Sequence, residues 1–213
     1  MTIDDVLADG ALPAMAILRG VTPDECVAVG RALIDAGIRL IEVPLNSPQP
    51  LQSIARMVDE FASEAAIGAG TVTGVAELRG VIDTGASFAV APNCDLAVIN
   101  AAVEAGFEFL PGIMTPSEAI AAARAGSRRL KLFPASSMGP GHAKALSAVI
   151  DPDIRIWAVG GVDAGNAAQW IDAGCEGVAA GSNIYAPGKG LEDVSETARQ
   201  FVDALPGLSD RQR

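Results

Sequence analysis

Lys131 is the residue whose surroundings most strongly suggest chemistry. It lies in the apolar run 130–133, and of the chain's lysines it alone occupies a segment with the pattern of a buried strand. Burial disfavours the charged ammonium and lowers the pKa of a lysine. A neutral amine can attack a carbonyl carbon and form a Schiff base. The sequence therefore predicts an amine nucleophile at Lys131.

Glu42 is a second ionisable residue inside an apolar run, at 40–46. Side chains alternate along a strand, so Glu42 and Lys131 are both expected to point inward while their aliphatic neighbours face outward. A structural ion pair is one interpretation, although a buried pair contributes little net stability because both charges lose hydration. We favour the other interpretation, in which Glu42 carries protons for the amine.

Further polar residues follow other apolar runs. Arg19 is expected to face a carboxylate, either that of a substrate or that of Glu42, and a salt bridge without substrate contact is the alternative. Thr71 and Asn93 can hydrogen-bond a substrate carboxylate or carbonyl, or can act as caps. His142, the single histidine, is expected at the surface without a catalytic role.

Two glycine-containing strand ends predict a phosphate site. One apolar run ends at Gly160-Gly161 and the next at Gly181-Ser182. Backbone N–H groups without neighbouring side chains can bind a phosphate, and in barrels the loops after strands seven and eight often do so. Ordinary turn glycines are the alternative. The occurrence of both pairs at the two expected positions favours phosphate.

These residues would be positioned by eight strand–helix units. The apolar runs are Ala14–Gly20, Leu40–Asn46, Ala66–Val72, Ser87–Asn93, Glu108–Met114, Arg129–Ala135, Arg155–Val162 and Gly177–Asn183. Helix patterns lie between them, including Pro23–Ala36 after Thr22 and Pro116–Ala125, which begins with a Thr115/Glu118 capping box. We predict an α/β fold, a single compact (β/α)₈ TIM barrel over residues 1–213 with a short flexible tail at 207–213. A doubly wound sheet is the competitor, but the first run lacks GxGxxG.

Composition limits the classes of partner. The net charge is −11, which argues against general binding to nucleic acid or to an anionic membrane. The three cysteines are widely spaced and the single histidine excludes a His-rich metal site. We expect a reducing, cytoplasmic setting.

The motifs together resemble the 2-keto-3-deoxy-6-phosphogluconate and 2-keto-3-deoxy-6-phosphogalactonate aldolases. The matching segments are Ala16–Gly20, Ile41–Pro48, Gly68–Val72, Pro92-Asn93, Lys131–Ala135, Val159–Val162 and Gly181-Ser182. The resemblance implies a lyase that forms a Schiff base, adopts a TIM barrel as a homotrimer, and needs neither metal nor cofactor. It implies that Lys131 forms the Schiff base with Glu42 as general acid/base, and that a small phosphorylated keto acid is the substrate. The implied binding residues are Arg19, Thr71 and Pro92 for the pyruvate carboxylate, and Gly160, Gly161, Gly181 and Ser182 for the phosphate.

Asn46 marks a departure from the gluconate enzymes, which usually have Arg-Thr where this chain has Asn46-Ser47. The segment resembles the galactonate branch, and Asn46 is expected to contact substrate. The resulting prediction is cleavage of 2-dehydro-3-deoxy-6-phosphogalactonate to pyruvate and D-glyceraldehyde 3-phosphate in galactonate degradation. The alternatives are the gluconate epimer as substrate, a phosphate-barrel isomerase or epimerase, and a non-catalytic sugar-phosphate binding protein.

Overall fold

The chain folds into a parallel β-barrel. The computed structural model describes residues 1–206, so the predicted tail at 207–213 lies outside the described residues. The strands are β1 (Ala14–Ile17), β2 (Leu40–Pro44), β3 (Ala66–Gly70), β4 (Phe88–Val90), β5 (Glu108–Leu110), β6 (Gly112–Ile113), β7 (Arg129–Leu132), β8 (Arg155–Val159) and β9 (Gly177–Ala180). All pair in parallel, in the order β5-β4-β3-β2-β1-β9-β8-β7-β6.

Closure of the barrel occurs at Pro111. The predicted fifth strand, Glu108–Met114, is split there into β5 and β6, because proline has no N–H to donate to a strand ladder. The carbonyl of Pro111 still accepts a hydrogen bond from Lys131 N at 2.9 Å. Since β5 pairs with β4 and β6 pairs with β7, the two ends of the sheet are one continuous segment. The predicted (β/α)₈ barrel is confirmed.

Helices separate the successive strands, except for β5 and β6. They are α1 (Ile3–Ala8), α2 (Cys26–Asp35), α3 (Pro50–Phe61), α4 (Val75–Asp83), α5 (Leu96–Glu104), α6 (Pro116–Arg124), α7 (Pro140–Ser147), α8 (Ala167–Asp172) and α9 (Leu191–Asp203). The Thr115/Glu118 capping box of α6 is present as predicted. The predicted start of α2 was wrong: the helix begins at Cys26, because the Glu25 carboxylate accepts hydrogen bonds from Thr22 and holds residues 22–25 in a turn.

Side-chain alternation divides the apolar residues into two cores. The core between sheet and helices includes Ile41, Val43, Leu130 and Leu132, as predicted from their positions beside Glu42 and Lys131. The smaller core fills the barrel interior and contains Met15, Ile17, Leu40, Ala66, Phe88, Val90, Leu110, Trp157, Val159 and Ala179. The two ionisable residues therefore emerge on the interior face of their strands.

Helix α1, which was not predicted, closes the barrel at the amino ends of the strands. Its Ile3 and Val6 join the interior core. Its Asp4 accepts a hydrogen bond from buried Arg129 at 2.5 Å. Arg129 also bonds Glu176 at 2.7 Å, and so a charged network fastens the helix beneath the barrel. The predicted binding residues lie at the opposite end of the barrel, after the carboxyl ends of the strands.

The described part of the chain contains no helix long and apolar enough to cross a membrane. Within residues 1–206 no group of three or more His, Cys, Asp or Glu side chains could hold a metal ion.

Candidate active site

The two predicted catalytic residues lie inside the barrel and are almost completely buried. Glu42 is 2% exposed and Lys131 is 5% exposed. Register places Glu42 opposite Gly68 of β3, and Lys131 opposite Trp157 of β8. No ion pair within 4.0 Å joins the two among the described residues. They face a shared interior without forming a closed salt bridge.

Burial dominates the electrostatics of both groups. Desolvation lowers the pKa of Lys131, and the positive charge of Arg19 lowers it further, against the opposing effect of Glu42. Desolvation raises the pKa of the Glu42 carboxyl, against the attraction of Lys131 and Arg19. Because the two groups are not in contact, their mutual attraction does not overcome the loss of hydration. Both pKa shifts favour the uncharged forms, the neutral amine of Lys131 and the protonated carboxyl of Glu42.

Phe133 joins Lys131 to the loop after β8. The Lys131 Nζ atom lies 4.8 Å from the centroid of the Phe133 ring. A Cβ added to Gly160 would lie 3.1 Å from the same ring. No role was predicted for Phe133, although it is two residues from Lys131 and alternation places both on one face.

Arg19 and Asn46 meet at the mouth of the barrel. Both side chains are exposed, and Arg19 Nη1 donates a hydrogen bond to Asn46 Oδ1 at 2.6 Å. Arg19 therefore has a neutral partner rather than a carboxylate of the described chain. Ser47, for which no role was predicted, accepts a hydrogen bond from Gly20 N at 2.9 Å and ties the two loops together.

Thr71 follows β3 in a left-handed backbone conformation, with φ of 60°. A β-branched residue rarely adopts this conformation, and such strain is concentrated at functional sites. Thr71 directly follows Gly70, where an added Cβ would overlap the carboxylate of Glu42. The left-handed turn at Thr71 therefore begins directly after the β3 residue that lies next to Glu42.

Pro92 lies close to Lys131 through the backbone. A Cβ on Gly112 would overlap the carbonyl group of Pro92, so the loop after β4 passes directly over Gly112. Gly112 is in turn the β6 residue paired with Lys131. The backbone of Pro92 therefore packs against the residue that pairs with Lys131.

The four predicted phosphate-binding residues lie at the ends of neighbouring strands, since β8 pairs with β9. Gly160 and Gly161 have φ values of 95° and 75°, which favour glycine. A side chain on Gly161 would also overlap Ser136, so its backbone must remain bare. Gly181 has ordinary packing space around it, and Ser182 is exposed.

The sequence of this chain is similar to those of known aldolases. Residues 3–199 match the family described as KDPG and KHG aldolase. The chain belongs to the KDPG and KHG aldolase family. It is 47% identical over 193 residues to the 2-dehydro-3-deoxy-6-phosphogalactonate aldolase of Escherichia coli, covering 91% of this chain and 94% of that one. A probable enzyme of the same name from Rhizobium meliloti is 44% identical, with 87% and 88% covered.

A solved structure of the same kind agrees with the fold. The chain superposes on a native KDPGal structure with a TM-score of 0.88 at 47% identity, covering 91% of this chain and 94% of the other. The resemblance to this aldolase family that the motifs indicated is confirmed, and so is the resemblance to its galactonate branch.

His142 and the three cysteines also carry reactive groups. His142 is half-buried near the start of α7, and its Nε2 lies 2.6 Å from the carbonyl oxygen of Met114. Burial raises the pKa of the Cys175 thiol to about 12 and also raises the pKa of Cys26 and Cys94. All three cysteines are free thiols with weakened reactivity.

Proposed function

We infer that this chain is a class I aldolase that cleaves 2-dehydro-3-deoxy-6-phosphogalactonate to pyruvate and D-glyceraldehyde 3-phosphate. The observation that carries this inference is a buried lysine of lowered pKa that shares the barrel interior with buried Glu42, without a closed ion pair. The names of the two relatives reported above support the galactonate-type substrate.

Lys131 begins the reaction as a neutral amine. It attacks the C2 ketone to give a carbinolamine, and loss of water produces an iminium ion. Removal of the proton from the C4 hydroxyl lets the C3–C4 bond break, and its electron pair passes into the iminium to leave an enamine. Glyceraldehyde 3-phosphate departs. Protonation at C3 and addition of water then release pyruvate and regenerate the amine.

Glu42 handles the proton transfers, directly or through a water molecule. Its raised pKa brings the carboxyl closer to the pH at which both accepting and donating a proton are efficient. At acidic pH the carboxyl stays protonated and cannot act as a base. Activity is therefore expected to fall as pH decreases through the raised pKa of Glu42.

The remaining predicted residues bind the two ends of the substrate. Arg19, with Asn46 holding one of its nitrogens, would bind the carboxylate together with Thr71 and the backbone near Pro92. The bare turns would hold the phosphate, through Gly160, Gly161, Gly181 and Ser182. We further propose a homotrimer acting in the cytoplasm, where the free thiols would remain reduced.

Borohydride reduction in the presence of pyruvate tests the covalent step. The expected result is a stable pyruvate-derived adduct, located by mass spectrometry on Lys131. Lys131→Met should give no adduct, whereas Lys144→Met, which changes an exposed lysine, should react like the unaltered protein. Absence of an adduct on Lys131 would rule out the Schiff-base mechanism and with it the proposed function.

Relative rates on the two epimeric substrates test the substrate assignment. Pyruvate release should be faster from the galactonate than from the gluconate compound. The reverse order would assign the chain to the gluconate substrate while leaving the covalent chemistry intact.

A further inference from the structure

Gly70 lies against the catalytic carboxylate rather than in a turn. It is the last residue of β3, is paired with Pro44, and has no positive φ. Any L-residue could therefore adopt its backbone conformation. Glycine within a strand loses conformational entropy and packs no side chain. Its presence must be explained by the space around it.

That space is occupied by Glu42. A Cβ built on Gly70 would overlap the Oε1 atom of Glu42 and lie 2.9 Å from its Cδ. The nearest backbone atom, Pro44 Cα, is 3.4 Å away, which is tight but tolerable. Glu42 pairs with Gly68 in the sheet. Its carboxylate nevertheless occupies the space that a side chain at position 70 would fill.

Hydrogen bonds do not explain where the Glu42 carboxylate sits. Within residues 1–206 its Oε2 atom is buried and has no hydrogen-bond partner. Buried carboxylates are usually held by donors, and an unsatisfied one needs an explanation, of which a catalytic role is one. Among the contacts of the described residues, the close approach to Gly70 therefore limits where Oε1 can lie.

Two other glycines of the strands, Gly68 and Gly177, lie next to aromatic rings rather than next to an ionisable group. A Cβ on Gly68 would overlap the ring of Phe88, and a Cβ on Gly177 would overlap the ring of Trp157. Both aromatic residues belong to the interior core, so those glycines provide room for packing. Gly70 provides room for an ionisable group instead.

We propose that Gly70 is a positioning residue for Glu42: its missing side chain leaves the space that the carboxylate occupies and so sets where that carboxylate lies. The functional half of this proposal rests on the aldolase function proposed above. A misplacement of about 1 Å at a reacting group can lower a rate by roughly 100-fold. Gly70→Ala should therefore slow the exchange of pyruvate methyl protons by about that factor, while borohydride trapping at Lys131 persists.

A double-mutant cycle on the exchange rate separates positioning from general damage. If Gly70 acts through Glu42, then Gly70→Ala should have little further effect in a Glu42→Gln background, because the group being positioned no longer transfers protons. An equal loss in both backgrounds would overturn the proposal. Gly80→Ala is the matched control, since its Cβ would make only an ordinary 3.5 Å contact with Leu51, and it should leave the rate unchanged.

A second cycle measures stability and does not depend on catalysis. Gly70→Ala should lower the melting temperature when Glu42 is present and should have no such effect in Glu42→Ala, where the added methyl group has room. This background also protects the test if Gly70→Ala alone fails to fold. The same loss of stability in both backgrounds would show that Gly70 does not pack on Glu42 and would overturn the proposal. Failure of pyruvate trapping in the unaltered protein would instead contradict the proposed function and leave this cycle interpretable.

Discussion

Replacing Glu42 and Lys131 together by methionine should make the protein more stable and abolish catalysis. Both side chains are at least nine-tenths buried, and no ion pair within 4.0 Å joins them in the described chain. Each therefore loses hydration without the full compensation of a close partner. Exchange of buried charged pairs for apolar residues of similar size is neutral or stabilising by about 1–4 kcal/mol. We expect the double variant to lie within that range.

The pH dependence of the gain follows from the two pKa shifts. Lys131 has a folded pKa below its ordinary 10.5, so between those values the unfolded chain binds more protons and stability rises with pH. Glu42 has a folded pKa above its ordinary 4.5, so between those values the folded chain binds more protons and stability falls with pH. Both penalties operate together only between 4.5 and 10.5. The advantage of the double variant should be largest within that range and shrink toward either end.

Urea denaturation between acidic and alkaline pH measures the effect. In a domain of this size each kcal/mol also corresponds to about 2–4 °C in melting temperature. Lys144→Met alters an exposed lysine and should change the free energy of unfolding by no more than about 0.5 kcal/mol. A double variant clearly less stable than the unaltered protein at neutral pH would refute the view that the burial of Glu42 and Lys131 lowers the free energy of unfolding.

Other predictions concern the mouth, the base of the barrel and the thiols. Asn46→Ala removes the acceptor from Arg19 and should raise KM about fivefold in steady-state assays, consistent with a net hydrogen-bond contribution of about 1 kcal/mol; an unchanged KM would contradict a binding role. Arg129→Met leaves the carboxylates of the lower network uncompensated and should reduce the free energy of unfolding by about 3–5 kcal/mol, with kcat retained in the folded fraction; a loss of kcat without loss of stability would contradict its structural role. Iodoacetamide at pH 8 should modify Cys94 before Cys175, as followed by peptide mass spectrometry, because Cys175 is buried and its pKa is about 12; the reverse order would contradict the burial argument.

The interior position of Glu42 and Lys131 could be predicted from sequence because alternation is a local property. Apolar neighbours on both sides identify Glu42 and Lys131 as inward-facing residues in strands that otherwise contain aliphatic residues. The same local rule identifies the strand ends where Arg19, Asn46 and Thr71 lie. The barrel then follows from the number of strand–helix units.

Features that depend on distant contacts were missed. No role was predicted for Arg129, which is only 6% exposed and bonds Asp4, a residue 125 positions earlier in the chain. Helix α1 is only six residues long and draws its stability from packing beneath the barrel, so its own sequence gives a weak signal. The contact between Gly70 and Glu42 also joins two strands and becomes visible only once their register is known.

The ion pairs of Arg129 also help to fix the register of β7, the strand that carries Lys131. Arg129 and Lys131 lie two residues apart on β7, with both side chains inside the barrel and a strand rise of about 3.3 Å per residue between them. A slip of β7 by one residue would turn both inward charges out toward the helices. Arg129 would then lose Asp4, Glu108 and Glu176 at once. These ion pairs at the amino ends of the strands therefore favour the observed register of β7. They thereby determine where Lys131 lies along the barrel axis, although they do not contact it.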